Sequence, residues 1–324
     1  MHKLLLAAAL LAAPATAQEP DRRSPNEIVA AAPVSDWVAI APSDLLVMTL
    51  APDAKGKPRQ VVIQLMPPPF SQGWVENIRT LARARWYDGL SVNRVQDNYV
   101  AQWGDPDGEN AGRAKKLPAG LRAMGQTEYV VTNSQVAAAE AIGGTSVPKS
   151  DDEIMGYGYD DRPEDSYADA TWHVDGWQIA LSGDKGWPVH CYGMVGVGRG
   201  MPPDTGSGAE LYTVIGHAPR HLDRNIALVG RVVEGIEHLS ALPRGTEALG
   251  FYKTAQERVP IVSIRVASDL PAAEQPRFQY LSTESATFAS YAEARANRRD
   301  PFFIRPAGGA DICNIPVPVR RAPG

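Results

Sequence analysis

NRVQDNYVAQWGDPD, residues 93–107, carries Arg94, Tyr99 and Gln102 across what reads as strand, turn and strand. Side chains alternate between the faces of a strand. Two such strands side by side in a curved sheet therefore let a fixed cation, an aromatic wall and an amide face one groove. No other segment of the chain carries chemistry of comparable specificity.

Upstream, Asp88-Gly89 is a turn into a strand over Leu90–Val95, and Tyr99–Gln102 is the strand after it. Before the turn, Val75, Ile78, Leu81 and Ala82 fall at helical spacing behind Ser71, a residue type that caps helices. Earlier still, the β-prone runs Leu46–Leu50 and Val61–Leu65 flank a turn at Asp53–Pro58, a hairpin signature ended by Pro67–Pro69. The order is thus β-β-α-β-β.

Downstream, residues 106–190 are rich in Gly, Asp and Pro and read as a long loop insertion, with a solvated acidic run from Asp151 to Asp165. Regular structure resumes at Leu211–Ile215, Ala227–Val233, a short helix around Ile236–Leu242, and Ile261–Ala267. A last helix, Ser282–Asn297, lies in an Arg/Pro-rich tail. No internal repeat is present. The expected fold is mainly β, a closed antiparallel barrel capped by two helices. Its parts are a leader at 18–40, a body at 41–270 and a C-terminal extension at 271–324.

The chain has 324 residues and a formal net charge of −5, which gives no reason to expect nucleic-acid or anionic-membrane partners. Lys3, the apolar run Leu4–Ala13 and the small-x-small site Ala15-Thr16-Ala17 form a secretory signal of bacterial type, residues 1–17. The run is too short to span a bilayer, where about 20 apolar residues are needed. A periplasmic protein without a membrane span after cleavage is expected. Two cysteines in an exported chain favour a Cys191–Cys313 disulfide, tying the tail to the body.

Other motifs read as structure. Gly196-Val197-Gly198-Arg199-Gly200 lacks phosphate-loop spacing, Gly206-Ser207-Gly208 lacks a nucleophile's strand–helix context, and His217 with His221 has no third ligand, so no metal is expected.

Two blocks carry a resemblance. The first runs from PRQVVIQLMPPPFSQGWVENI to RWYDGLSVNRVQDNYVAQWGDPDG, the second from TGSGAELYTVIG to HLDRNIALVGRVVEGIEHLSAL. In both, the chain resembles the cyclophilin family of peptidyl-prolyl isomerases. The resemblance implies a catalytic role for Arg94, oriented by Gln102, and a proline pocket of Tyr99, Val100, Tyr212 and Leu222. Glu210 takes the place of a glutamine, and His221 that of a tryptophan in many members. It further implies proline-containing polypeptide substrates and no cofactor; a monomer is expected. Departures are Asn93 for a histidine, Trp103 for a glycine and Ile226 for a pocket histidine. Ile226, Trp103 and Glu210 motivate one alternative, a catalytically weak or inactive proline-binding chaperone; the insertion and the C-terminal tail motivate another, a structural envelope protein that uses them as interaction surfaces.

Overall fold

The computed structural model describes residues 22–132, 135 and 165–323. The signal segment therefore lies outside the described residues, as does all of the acidic run except Asp165.

The body is a closed, eight-stranded antiparallel barrel. Its strands are β2 (Leu45–Leu50), β3 (Arg59–Leu65), β4 (Ser91–Val95), β5 (Val100–Gly104), β10 (Met194–Val197), β11 (Leu211–Val214), β12 (Leu228–Glu234) and β13 (Val259–Val266). They follow one another around the barrel as β10-β11-β5-β4-β13-β2-β3-β12, and β12 pairs back onto β10. Closure removes the unpaired strand edges an open sheet would present.

The first hairpin pairs Leu50 with Arg59 and Leu45 with Gln64. Its turn is organised by Asp53, whose Oδ1 accepts from the Lys55 and Lys57 backbone N–H groups at 2.8 Å each. Strand β2 is buried almost throughout instead of alternating. Leu46, Met48 and Leu50 face the barrel interior, while Leu45 and Val47 pack outward with Ile40, Val62, Ala267 and Phe278. A layer therefore covers the outside of this strand.

That layer joins the two ends of the chain. Strand β1 (Trp37–Ala39) pairs with β14 (Phe278–Leu281), which pairs with β15 (Val319–Arg321). Helix α1 (Pro25–Ala30) packs on the long C-terminal helix, residues Ala286–Ala296. Ile28, Trp37, Leu281, Phe288, Tyr291, Ile315 and Val317 make its separate core. The leader and extension expected as two appendages are thus one module. Propensity alone could not show this, because its three short strands gain burial only by meeting from opposite ends of the chain.

Helix α2 (Gln72–Arg83) lays Trp74, Val75, Ile78 and Leu81 on the barrel, and the short α3 (Glu237–Ser240) packs on β3. Ser71 stands at the N-cap as expected but does not cap with its side chain, since its backbone is left-handed at φ 55°. The Gln72 amide instead donates to the Met66 and Phe70 carbonyls at 3.0 and 2.8 Å. The C-terminal helix, now α4, is capped by Ser285, whose Oγ accepts from the Phe288 N–H at 3.0 Å.

The insertion is not one long loop. Strands β6 (Val131–Thr132), β7 (Ala170–Val174), β8 (Trp177–Ser182) and β9 (Lys185–Pro188) form a sheet in the order β6-β9-β8-β7. Trp177 and Trp187 bury into the main core with Val174, Ile179 and Val189. The turn between β7 and β8 is Asp175-Gly176, both with positive φ, the backbone a tight two-residue hairpin requires. Asp165 is not solvated either: it pairs with the buried Arg220 at 2.9 Å. Cys191 and Cys313 are joined by a disulfide, so the C-terminal tail is tied to the barrel at the start of β10.

Candidate active site

Strands β4, β5 and β11 are neighbours, and Arg94, Gln102 and Tyr212 stand in one row across them. The β4–β5 turn closes with the Gln96 N–H donating to the Val100 carbonyl at 2.9 Å and the Tyr99 N–H to the Gln96 carbonyl at 3.2 Å. Asn98 takes a left-handed φ of 49°, a conformation asparagine tolerates. Its Oδ1 accepts from the His217 N–H at 2.9 Å, which fastens the turn to the loop after β11.

Arg94 is half-buried and held from three sides. Its Nε donates to the Leu249 carbonyl at 2.7 Å, Nη1 to Gln102 Oε1 at 3.0 Å, and Nη2 to Gln96 Oε1. The rings of Tyr99 and Phe251 lie 5.8 and 5.4 Å from the guanidinium carbon. Burial pulls its pKa down, yet a guanidinium stays charged at any physiological pH. A fixed cation therefore stands at the groove with its orientation set by hydrogen bonds.

Beside it Val100, Tyr212 and Val214 form a small buried cluster, with Tyr99, Leu222 and Ile226 packed against it at the surface. His221 stacks on Tyr99 with centroids 6.4 Å apart and planes 10° from parallel. The structure thus gathers Arg94, Gln102, Tyr99, Val100, Tyr212, Leu222 and His221 around one groove. Two departures drop out of it: Trp103 and Asn93 point the other way, buried in the barrel at 0% and 5% exposed. Ile226 is part of the groove and makes its wall apolar where a histidine was the alternative.

Glu210 also reaches the site. Gln102 Nε2 donates to its Oε2 at 3.4 Å, and burial pushes its carboxyl up to about 7. The glycines of residues 196–200 make room for this wall. A Cβ on Gly196 would sit 2.3 Å from the Tyr212 ring, and one on Gly198 2.8 Å from the Glu210 Cβ. That stretch is strand β10 and the turn after it, lying on the groove's back wall.

Behind Tyr212 runs a relay the sequence did not reveal. Asp223 Oδ1 accepts from His190 Nδ1 at 2.8 Å, leaving Nε2 to accept from the Tyr212 hydroxyl at 2.9 Å. Arg220 donates through Nε to Asp223 Oδ2 at 2.7 Å and through its two Nη atoms to Asp165 at 2.9 and 3.0 Å. Burial pushes the His190 pKa down, which favours this neutral form. A buried tyrosine hydroxyl needs a partner, and that was the available signal. Phe251 and Leu249 were missed as well, because nothing local marks residues 245–251 as reaching Arg94. Among the described residues no three His, Cys, Asp or Glu side chains gather into a metal-binding group.

A family model described as "cyclophilin type peptidyl-prolyl cis-trans isomerase/CLD" matches residues 61–266, well over half of the chain. No curated protein matches this chain. A crystal structure of a cyclophilin from Hirschia baltica is similar at a TM-score of 0.61 and 22% identity, covering 89% of this chain and 95% of its own. A cyclophilin-type isomerase from Cryptosporidium parvum aligns at 12% identity and a TM-score of 0.38, over 68% of this chain and 96% of its own. The matched range spans the barrel from β3 to β13 and includes both walls of the groove. The chain belongs to the cyclophilin-type peptidyl-prolyl cis-trans isomerase family.

Proposed function

We propose that this groove isomerises X–Pro bonds with Arg94 as the catalytic cation and Gln102 as its orienting partner. The observation that carries the reading is the Arg94–Gln102 pair standing beside the apolar cluster of Val100, Tyr212 and Leu222. An X–Pro amide resists rotation with a barrier near ~18–20 kcal/mol because its C–N bond has partial double-bond character. A hydrogen bond donated to the proline nitrogen localises its lone pair and weakens that character. The nitrogen accepts such a bond only when twisted out of conjugation, so the interaction favours the transition state over the planar ground state. A guanidinium suits this task, since it is always charged and donates in a fixed fork.

Meanwhile the pyrrolidine ring is anchored by Tyr99, Val100, Tyr212 and Leu222, with Ile226 and His221 at the rim. Burial of a side chain of this size contributes on the order of 1.5–3 kcal/mol, holding one side of the bond while the other turns. Glu210 completes the polar side. The substrates are exposed X–Pro segments of polypeptides.

The N-terminal signal pattern supports export and a periplasmic site of action, with the Cys191–Cys313 bridge suited to an oxidising compartment. In that setting the protein assists folding of exported chains as a monomer. Cell fractionation and light scattering test these two points. Ile226 in the pocket favours a second reading, a slow isomerase acting mainly as a proline-binding chaperone.

A proline-peptide isomerisation assay decides. Wild type should exceed the uncatalysed rate, and Arg94→Ala should fall about 100-fold or more in kcat/KM. Wild-type rates at background would overturn the isomerase reading and leave the non-catalytic ones.

A further inference from the structure

Glu210 brings a carboxyl to the polar side of the groove, next to the Gln102 amide, and the isomerase mechanism does not use its ionisation. We infer that Glu210 is a positioning residue, fixing the rotation of the Gln102 amide and, through it, the Arg94 guanidinium. This deepens the isomerase reading and rests on it.

The argument is one of complementary donors and acceptors. A guanidinium only donates and a carboxylate only accepts, whereas a primary amide does both. Gln102 stands between them, with Oε1 taking the Arg94 Nη1 bond at 3.0 Å and Nε2 facing Glu210 Oε2 at 3.4 Å. Flipping the amide would set its NH2 against the cation and its oxygen against the carboxylate. Only one rotation satisfies all three groups. The Glu210 carboxyl is also confined, for a Cβ on Gly104 would come within 2.2 Å of it and one on Gly198 within 2.8 Å of its Cβ. Its backbone carbonyl accepts from the Gly198 N–H at 2.8 Å, which fixes the stem.

Protonation removes the carboxylate's half of the constraint. A neutral carboxyl has an O–H that can donate to a flipped amide oxygen, so Glu210 no longer selects between the rotations and only the Arg94 bond holds the unflipped one. Burial first, and then the charges of Asp105 and Glu109, push the carboxyl up to about 7, while the bonds from Gln102 and the Asp105 backbone pull it down. The Tyr87 hydroxyl lies on the same side from the segment before β4 and is itself held neutral by burial. Arg199, following Gly198, is turned to the Asn225 and Gly200 carbonyls at 3.1 and 2.8 Å. Orientation of Arg94 should therefore improve as pH rises through neutrality.

The test is kcat and KM between pH 5.5 and 8.5 for wild type, Glu210→Gln, Glu210→Ala and Arg94→Ala. Wild-type kcat should rise with pH along a single titration near 7. Glu210→Gln, isosteric and non-titrating, should give a flat profile. At pH 8 Glu210→Ala should lose about tenfold in kcat with KM within about twofold, whereas a substrate contact would move KM. A flat wild-type profile overturns the inference, as does a rise that survives in Glu210→Gln, which would place the titration on another group. If wild type isomerises and Arg94→Ala is inactive while Glu210→Ala matches wild type, this inference alone falls. If wild type does not isomerise, the isomerase reading falls with it.

Discussion

The two walls of the groove are built in opposite ways. The Arg94 wall is local, made from one hairpin whose register sets Arg94 against Gln102. The Tyr212 wall is assembled at long range. Tyr212 comes from β11, Leu222 from the loop after it, and both are backed by His190, Asp223 and Arg220, a chain that ends on Asp165 within the insertion. A local hairpin can hold chemistry whose geometry is short-ranged. A proline slot needs an enclosing surface, and enclosure has to be borrowed from distant segments. Damage to the first wall should therefore appear in kcat, and damage to the second in KM and stability.

The sharpest way to break this division is to truncate one residue on each side. Arg94→Ala should lose about 100-fold or more, nearly all in kcat. Leu222→Ala should mainly raise KM, by about tenfold, since it removes packing shared by ground and transition states. An equal kcat loss in both variants would mean that the pocket also does the electrostatic work.

His190 is the next lever. His190→Leu strands the Tyr212 hydroxyl and leaves the Asp223 carboxylate with one fewer donor. A loss of about 2–4 kcal/mol in urea unfolding is expected. Adding Tyr212→Phe should return part of that loss, because it removes the orphaned hydroxyl, whereas independent sites would simply add. Additive costs would show that the relay is only a set of neighbours. The disulfide offers a similar contrast with less mechanism in it. Replacing Cys191 and Cys313 together by alanine should cost about 2–4 kcal/mol of stability through the long loop they close, with kcat retained at temperatures where the fold persists.

The same contrast explains what was legible in the sequence. Arg94, Tyr99 and Gln102 could be found because their spacing and their contact arise from one hairpin. Tyr212 and Leu222 were reached through a second motif block, and the fold packs both with Val100 and Tyr99 in one cluster. His190 and Arg220 left no trace, since their partnership depends on Asp223 and Asp165 meeting them through the fold. In the insertion, the strand signals around Asp175-Gly176 and the apolar run Trp177-Gln178-Ile179-Ala180 were present but masked by the surrounding Gly, Asp and Pro. The terminal module was illegible for a deeper reason. Trp37 and Leu281 become partners only because β1 and β14 are adjacent, and neither strand is long enough to announce itself.

Phe251 tests the finest point of the comparison, because it brings a long-range element to the local wall. The loop carrying it holds Leu249 in a left-handed conformation at φ 58°, which aims the Leu249 carbonyl at Arg94 Nε. Gly250 follows at φ 81°, where a Cβ would come within 2.7 Å of the Gln96 Cα, so the loop fits closely over the turn of the hairpin. The Phe251 ring then faces the Arg94 guanidinium at 5.4 Å, with the Tyr99 ring at 5.8 Å from the same carbon. A contact of this kind is worth about 0.5–1 kcal/mol at an exposed site, so Phe251→Ala should lower kcat/KM by only about threefold. Phe251→Leu separates the two things the ring supplies. It keeps apolar cover over the cation but lacks the aromatic quadrupole. If the leucine variant matches alanine, the ring's electrostatics orient Arg94. If it matches wild type, the contribution is shielding from water, and the loop acts as a cover for the local wall.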